Sequence, residues 1–425
     1  MSVPVKFHEK LFTPLRDFFA DSRAIGIILI ACTILSLFFA NYTSTSTNYT
    51  AFWLKEVHFG ISFLHLPETN LLVINDILMT FFFFLVGMEI KRELTIGELA
   101  SIKKSMLPVV AAFGGMVCPA IIFALFNGNT PYQKGWGIPM ATDIAFSLGV
   151  LSLLGNKVPV QLKIFLAALA IIDDLGAVLT IAVFYSSDIN FIYLSIAVVL
   201  VIIVVGINKL KINNLVFYFI PGALLWYCMF NSGVHATLAG VIMSFCMPLN
   251  QLAKVEHKLF HPVNFVIMPL FALANTAIVL PSSMGYVFQS TISFGIIAGL
   301  VIGKPLGIFS FSYLAVKFKI ASAPSNSTWT QLLGIGMLGG IGFTMSIFTT
   351  SLSYSADALQ VIGKVAVIAA SVASGCIGFI YLYNYKSKSI IEPKAADIST
   401  EDGAASETFL GLEVPKNGLS VAAQQ

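Results

Sequence analysis

Charge is what this chain has least of. Asp, Glu, Lys and Arg make up 11% of its 425 residues, where a soluble domain carries about 25%. With 57% of the residues hydrophobic, such a chain would not stay dissolved in water, which excludes an ordinary soluble enzyme or binding module. Paired cysteines are missing as well. Cys32, Cys118, Cys228, Cys246 and Cys376 all lie in apolar stretches, and no two are spaced C-x-x-C. That excludes a zinc or iron–sulfur site of the usual spacing and a disulfide framework, and leaves small buried hydrophobes. A strong basic excess is absent too. The net charge of +3 is no footprint for nucleic acid.

What the chain has in abundance is long apolar runs. They fall near 24–40, 71–90, 106–126, 135–154, 162–185, 191–207, 215–230, 234–249, 262–280, 292–311, 331–352 and 359–383. A spanning helix needs about 20 residues, so the chain reads as an all-α polytopic membrane protein of about twelve spans. The first run follows Lys6, Lys10, Arg16 and Arg23, but Glu9, Asp17 and Asp21 stand among them; this is an uncleaved span and not a secretory signal. Basic residues then orient the bundle. Only Lys55 and Lys134 fall on outer loops, and Lys304 and Lys364 lie within spans. The others gather on one side in pairs such as Lys91 with Arg92, Lys209 with Lys211 and Lys254 with Lys258. By the positive-inside rule both termini are cytoplasmic. Residues 1–23 form a cytoplasmic segment, 24–385 the membrane domain, and 386–425 a polar tail expected to be disordered. The outer loop 41–69 is polar, and Val57 to Leu66 alternates enough to suggest a short hairpin.

Two spans are broken. Gly137-Ile138-Pro139-Met140-Ala141-Thr142-Asp143 interrupts the fourth, and the glycine-rich stretch from Gly334 to Gly342 interrupts the eleventh. Helix breakers at mid-depth are tolerated where the freed backbone lines a cavity or meets protein. An odd number of spans separates them, so they run in opposite directions, as in transporters built from inverted repeats. Gly295, Gly299, Gly303 and Gly307 recur at four-residue spacing in the tenth span, a stripe that lets another helix come close.

Ionisable groups at mid-membrane cost about 2.5–3.5 kcal/mol each on insertion scales, and Asp143, Asp173, Asp174 and Lys304 all sit there. Adjacent residues on a helix point about 100° apart, so one of Asp173 and Asp174 can face an ion cavity while the other meets a partner. Two such carboxylates can exchange protons for a small hard cation with oxygen ligands, and Thr142 and Asp143 add a hydroxyl, a carboxylate and freed carbonyls. A buried ion pair that merely fixes packing accounts for Lys304 and one aspartate, but not for three acids against one base or for the broken helices. Lys304 itself reads equally as a fixed counter-ion or a proton carrier. Asp76 reads as a bundle hydrogen bond, and Glu89, Arg92 and Glu93 as a solvated helix end.

Six ordered motifs carry a resemblance. They are Asn75-Asp76 with Phe83 to Leu94, Ala141-Thr142-Asp143-Ile144-Ala145-Phe146, Leu169-Ala170-Ile171-Ile172-Asp173-Asp174-Leu175-Gly176, Gly233 to Gly240, Gly303-Lys304-Pro305-Leu306-Gly307, and Gly340-Ile341-Gly342-Phe343-Thr344-Met345-Ser346-Ile347. Over roughly residues 15–385 the chain resembles the bacterial NhaA sodium–proton antiporters. The resemblance implies inverted three-helix repeats with two broken crossing helices, and electrogenic exchange of one intracellular Na+ or Li+ for two external protons, activated at alkaline pH. It implies no enzyme activity and no cofactor. Asp173 and Asp174 would hold the cation and the protons, Lys304 would pair with Asp173, and Thr142 and Asp143 would balance charge at the crossing. Glu89, Arg92, Glu93, His235, Glu256, His257 and His261 match residues linked to pH response. The outer loop matches a hairpin that makes a homodimer, in the bacterial inner membrane. The runner-up is a sodium–solute symporter with inverted repeats. An intramembrane aspartyl protease would resemble a Gly-x-Gly-Asp pattern, which does not occur here. A passive channel would gain nothing from proton-competent carboxylates.

Overall fold

Inside lipid every backbone N–H needs an internal acceptor, so apolar runs of spanning length become helices. The computed structural model describes residues 22–58, 60, 64–186, 189–324 and 327–385. The N-terminal segment up to residue 21, the tail 386–425 and residues 59 and 61–63 of the expected hairpin lie outside the described residues.

In chain order the helices are α1 (Ser22–Asn41), α2 (Ser46–Leu54), α3 (Asn70–Thr95) and α4 (Ile102–Asn127). The tight turns of Gln133–Met140 lead to α5 (Ile144–Leu153), followed by α6 (Val160–Phe184), α7 (Phe191–Lys209), α8 (Val216–Asn231), α9 (Leu238–Cys246), α10 (Leu249–Pro262) and α11 (Met268–Asn275). After a short helical stretch at Met284–Gln289, the last are α12 (Thr291–Lys317), α13 (Trp329–Gly339), α14 (Phe343–Ser353) and α15 (Asp357–Asn384). Among the described residues no strand is present. An isolated antiparallel bridge between Glu56 and Thr69 closes the base of the expected hairpin, and α2 adds a helix that the polar composition of 41–69 did not announce.

Among the described residues eight segments are long and apolar enough to cross a membrane, and the pair α13 and α14, bent by 45°, makes a ninth if it is one span. The runs near 215–230, 234–249 and 262–280 are helical but shorter or interrupted, as α8, α9 and the stretch through α11. The chain is thus an all-α polytopic membrane protein.

The glycine stripe of α12 does what its spacing requires. A Cβ on Gly307 would lie 2.1 Å from the Gly114 carbonyl oxygen, and one on Gly303 would lie 3.0 Å from Pro119 Cα. Only glycine lets α12 lie this near α4. Of three wide i→i+5 turns among the described residues, two, at Val263–Ile267 and Gly299–Gly303, are followed by one residue and then a proline. Pro269 and Pro305 have no N–H to continue the i→i+4 ladder, and the preceding N–H reaches one residue further: Met268 to the Val263 carbonyl and Lys304 to that of Gly299. Such turns re-aim the side chains beside them. One delivers Lys304 to the centre of the bundle; the other carries Asn264.

Candidate functional site

Each broken span leaves helix ends with unpaired backbone groups, and here the two breaks satisfy each other. Pro139 closes the turns of Gln133–Met140, and Asp143, in extended conformation, caps α5 by accepting from Phe146 N at 3.0 Å. The Asp143 N–H donates to the Ile341 carbonyl at 2.7 Å. The other carboxylate oxygen of Asp143 accepts from Thr344 N at 3.0 Å and Thr344 Oγ1 at 2.5 Å. One carboxylate therefore sits at the positive N-termini of both α5 and α14, where negative charge is stabilised. Ser346 Oγ laces the crossing further by donating to the Ile138 carbonyl at 2.7 Å.

Lys304 serves the opposite ends. Its ammonium donates to the Met140 carbonyl, at the carbonyl end of the Gln133–Met140 segment, and pairs with Asp173 Oδ2 at 2.8 Å, both side chains fully buried. Thr142 Oγ1 lies 2.8 Å from Asp173 Oδ2 and 2.8 Å from the Gly339 carbonyl. A hydroxyl carries one hydrogen, so it donates to one of these oxygens at a time.

The two neighbouring aspartates have separate surroundings, as their angular spacing on α6 requires. Asp173 faces Lys304. Asp174 lines a cavity of about 250 Å³ with Thr142, Asp143, Thr344, Glu89, Arg92 and Asn264. Oδ1 of Asp173 and Oδ1 of Asp174 are buried with no hydrogen-bond partner. Unpartnered buried carboxylate oxygens are costly unless a cation or proton completes them, and oxygen ligands suit a small hard cation. Asp143, grouped with the ion ligands by sequence, has its oxygens engaged by helix N–H groups and Thr344. Among the described residues no three His, Cys, Asp or Glu side chains converge into a metal cage.

The cavity leads toward the end of α3 that carries Glu89, Arg92 and Glu93. Arg92 contacts Glu93 Oε1 at 3.4 Å and Glu256 Oε1 at 3.3 Å; its Nε toward Glu256 lacks the alignment of a hydrogen bond. A further space of about 260 Å³ is lined by Arg92, Ala253, Glu256, His257, Phe260 and His261. Burial pushes the Glu256 carboxyl above the usual glutamate range, with Arg92 opposing and Glu93 adding to the rise. His235 lies apart from this cluster, with Nε2 2.9 Å from the Tyr185 carbonyl beyond the end of α6. Asn75 makes a reciprocal amide pair with Asn275 at 2.7 and 3.3 Å, while the neighbouring Asp76 carbonyl accepts from Trp226 Nε1 at 2.9 Å. A groove of about 210 Å³ between α3, α8 and α9 is lined without any acidic or basic side chain and is not the site.

One turn past Thr344, Phe348 packs on Phe83 with ring centroids 5.3 Å apart and on Phe271 at 6.3 Å. Sequence reasoning did not assign roles to Thr344, Ser346 or Asn264. Thr344 is the second residue of α14 and not its N-cap, so no capping signal marks it, and Asn264 is a polar residue inside an apolar run.

A profile of the Na+/H+ antiporter 1 family matches residues 16–382. The chain is similar to Na(+)/H(+) antiporter NhaA 2 of Flavobacterium johnsoniae, 52% identical over 383 residues that cover 88% of this chain and 93% of that protein. It is 45% identical over 392 residues to the Na(+)/H(+) antiporter NhaA of Cytophaga hutchinsonii, with coverage of 91% and 98%. Against the Na(+)/H(+) antiporter NhaA of Escherichia coli it is 44% identical over 377 residues, covering 87% and 97%.

Proposed function

The chain belongs to the Na+/H+ antiporter 1 family, the NhaA antiporters, and from that premise we propose how its residues carry out Na+/H+ exchange. The observation that carries the reading is the pair of orphaned Oδ1 atoms on Asp173 and Asp174, one of them on a residue that lines the cavity. Na+ or Li+ arriving through the cavity completes these oxygens, with Asp174 as the principal ligand and Thr142 beside it. Protons complete them on the return. Because the same carboxylates serve both, cation and proton compete and cannot occupy the site together. Two protons per Na+ follow from two carboxylates, and the cycle moves net charge. Lys304 and Asp143 hold the carbonyl and N–H ends of the broken helices, so the site stays balanced as its occupant changes. With a proton on Oδ1, Asp173 can still accept from Lys304 through Oδ2, and the Thr142 hydroxyl can turn between Asp173 and Gly339 as the charge there changes.

The cavity opens to the cytoplasm, both termini are cytoplasmic, and the protein lies in the bacterial inner membrane; the clustering of lysine and arginine on that side supports this. The cluster of Glu89, Arg92, Glu93, Glu256 and His257 at the mouth sets the pH response, with His235 acting from its separate place. A homodimer forms through the outer loop, closed at its base by Glu56 and Thr69. Alternating access requires Phe348 to part from Phe83 and Phe271. The symporter reading is set aside with the family membership.

Proteoliposomes with an imposed proton gradient and an internal pH dye test this. Sodium and lithium are expected to collapse the gradient at alkaline pH, potassium to leave it, and Asp174→Asn to be silent. A wild type with no cation-dependent signal at any pH would overturn the reading.

A further inference from the structure

The wide turn Val263–Ile267 has a consequence for the cytoplasmic cavity. Pro262 precedes it and Pro269 follows, so the helix ladder is loosened at both ends. Asn264 sits in this turn and lines the same cavity as Asp174 and Glu89. Its Nδ2 donates to the Phe260 carbonyl at 3.0 Å. That bond fixes the amide orientation, because only the nitrogen can donate. Oδ1 then points away from Phe260, and the side chain lines the cavity.

Besides the carboxylates of Glu89 and Asp174, the other polar side chains of the cavity are differently engaged. Asp143 and Thr344 bind each other, Thr142 is held between Asp173 and Gly339, and Arg92 contacts two glutamates. Asn264 offers a neutral acceptor on the way from the mouth to Asp174. A neutral oxygen can replace part of a cation's water without trapping it, which is the balance a conduction path needs. A carboxylate at the same place would hold the ion more firmly and compete with Asp174.

We propose that Asn264 Oδ1 is a way-station for the cation, a contact that hands Na+ or Li+ from the cytoplasmic mouth to Asp174. This rests on the proposed exchange at Asp173 and Asp174. Asn264 touches the cation in transit and takes no part in proton exchange.

The test measures Na+- and Li+-dependent exchange in everted vesicles, where the cytoplasmic face is outside. Asn264→Ala is expected to raise KM for Na+ by roughly three- to tenfold, the factor for one net contact of hydrogen-bond strength, with Vmax and the pH midpoint unchanged. Asn264→Asp keeps an oxygen but cannot donate to Phe260. It is expected to leave KM at or below the wild-type value. If Ala and Asp raise KM alike, the side chain acts only by holding the turn, and the way-station is refuted. If neither moves KM, it is refuted as well. Should Asn264→Ala fail to accumulate in the membrane, Asn264→Ser and Asn264→Asp decide by the same comparison. A wild type that exchanges Na+ for H+ with an unaffected Asn264→Ala would sink this inference and leave the proposed function standing. A wild type that exchanges nothing would sink both.

Discussion

Thr344→Val removes one hydroxyl and almost no volume, so its effect isolates the shared cap at the crossing. In the wild type Asp143 accepts from Thr344 Oγ1 at 2.5 Å, Thr344 N at 3.0 Å and Phe146 N at 3.0 Å. Valine leaves the two backbone donors and deletes the shortest bond to a carboxylate that is 2% exposed. A hydrogen bond to a charged group contributes about 1.5–3 kcal/mol, and a neutral one about 1 kcal/mol. Thr344→Val should therefore cost about 1.5–3 kcal/mol in the wild-type background and about 1 kcal/mol in Asp143→Asn, where the acceptor is uncharged. The double-mutant cycle then gives a coupling on the order of 0.5–2 kcal/mol. Reversible unfolding of the four proteins in detergent micelles measures it, with Thr344→Ser as a control that keeps the hydroxyl. Equal costs in both backgrounds, within about 0.5 kcal/mol, would refute the view that Asp143 holds the two half-helices through Thr344.

Lys304→Ala leaves Asp173 buried without its partner and should cost about 3–5 kcal/mol; an unchanged melting temperature would contradict the pairing. Gly307→Ala places a methyl against the Gly114 backbone, which cannot give way as a side chain could. It should cost about 1–3 kcal/mol and reduce exchange by shifting Lys304, one turn away. Gly206→Ala in α7, with nothing within 4 Å of the added carbon, should be neutral or stabilising. For Glu256 the sign follows from burial. Its carboxyl is raised above the usual range, so as pH falls it protonates earlier than a free glutamate and the charged contact with Arg92 is lost. Glu256→Gln fixes the uncharged form at every pH, so the exchange profile should move to more alkaline pH at similar maximal rate; an unmoved profile would remove Glu256 from the pH response.

Much of the architecture was legible because hydropathy is local. A run of apolar residues specifies a spanning helix whatever its neighbours are, and the charges within such runs stand out by their cost. The glycine spacing in α12 announced a close helix contact for the same reason: it depends on one face of one helix. The angular offset of Asp173 and Asp174 foretold that they would face different surroundings. The shorter helices near 215–280 were less legible, since prolines and wide turns divide an apolar stretch without changing its composition. Helix α2 was hidden in a polar loop, where periodicity is weak and Tyr49 and Trp53 pack through an edge contact of rings 5.9 Å apart.

By itself the sequence determined the solvent, the helices, the breaks at 137–143 and 334–342, and the few ionisable residues placed at mid-depth. Only the tertiary structure decided who partners whom. Lys304 could have met Asp143 or Asp173; it meets Asp173 because the wide turn before Pro305 aims it at the carbonyl end of Gln133–Met140. Asp143 became the cap of two helices because the crossing brings the α14 N-terminus to it. With those partners taken, Asp174 is left facing the cavity with an unsatisfied oxygen. The physical reason is that burial depends on each segment's own composition, whereas a hydrogen bond depends on the direction and distance of groups far apart in the chain.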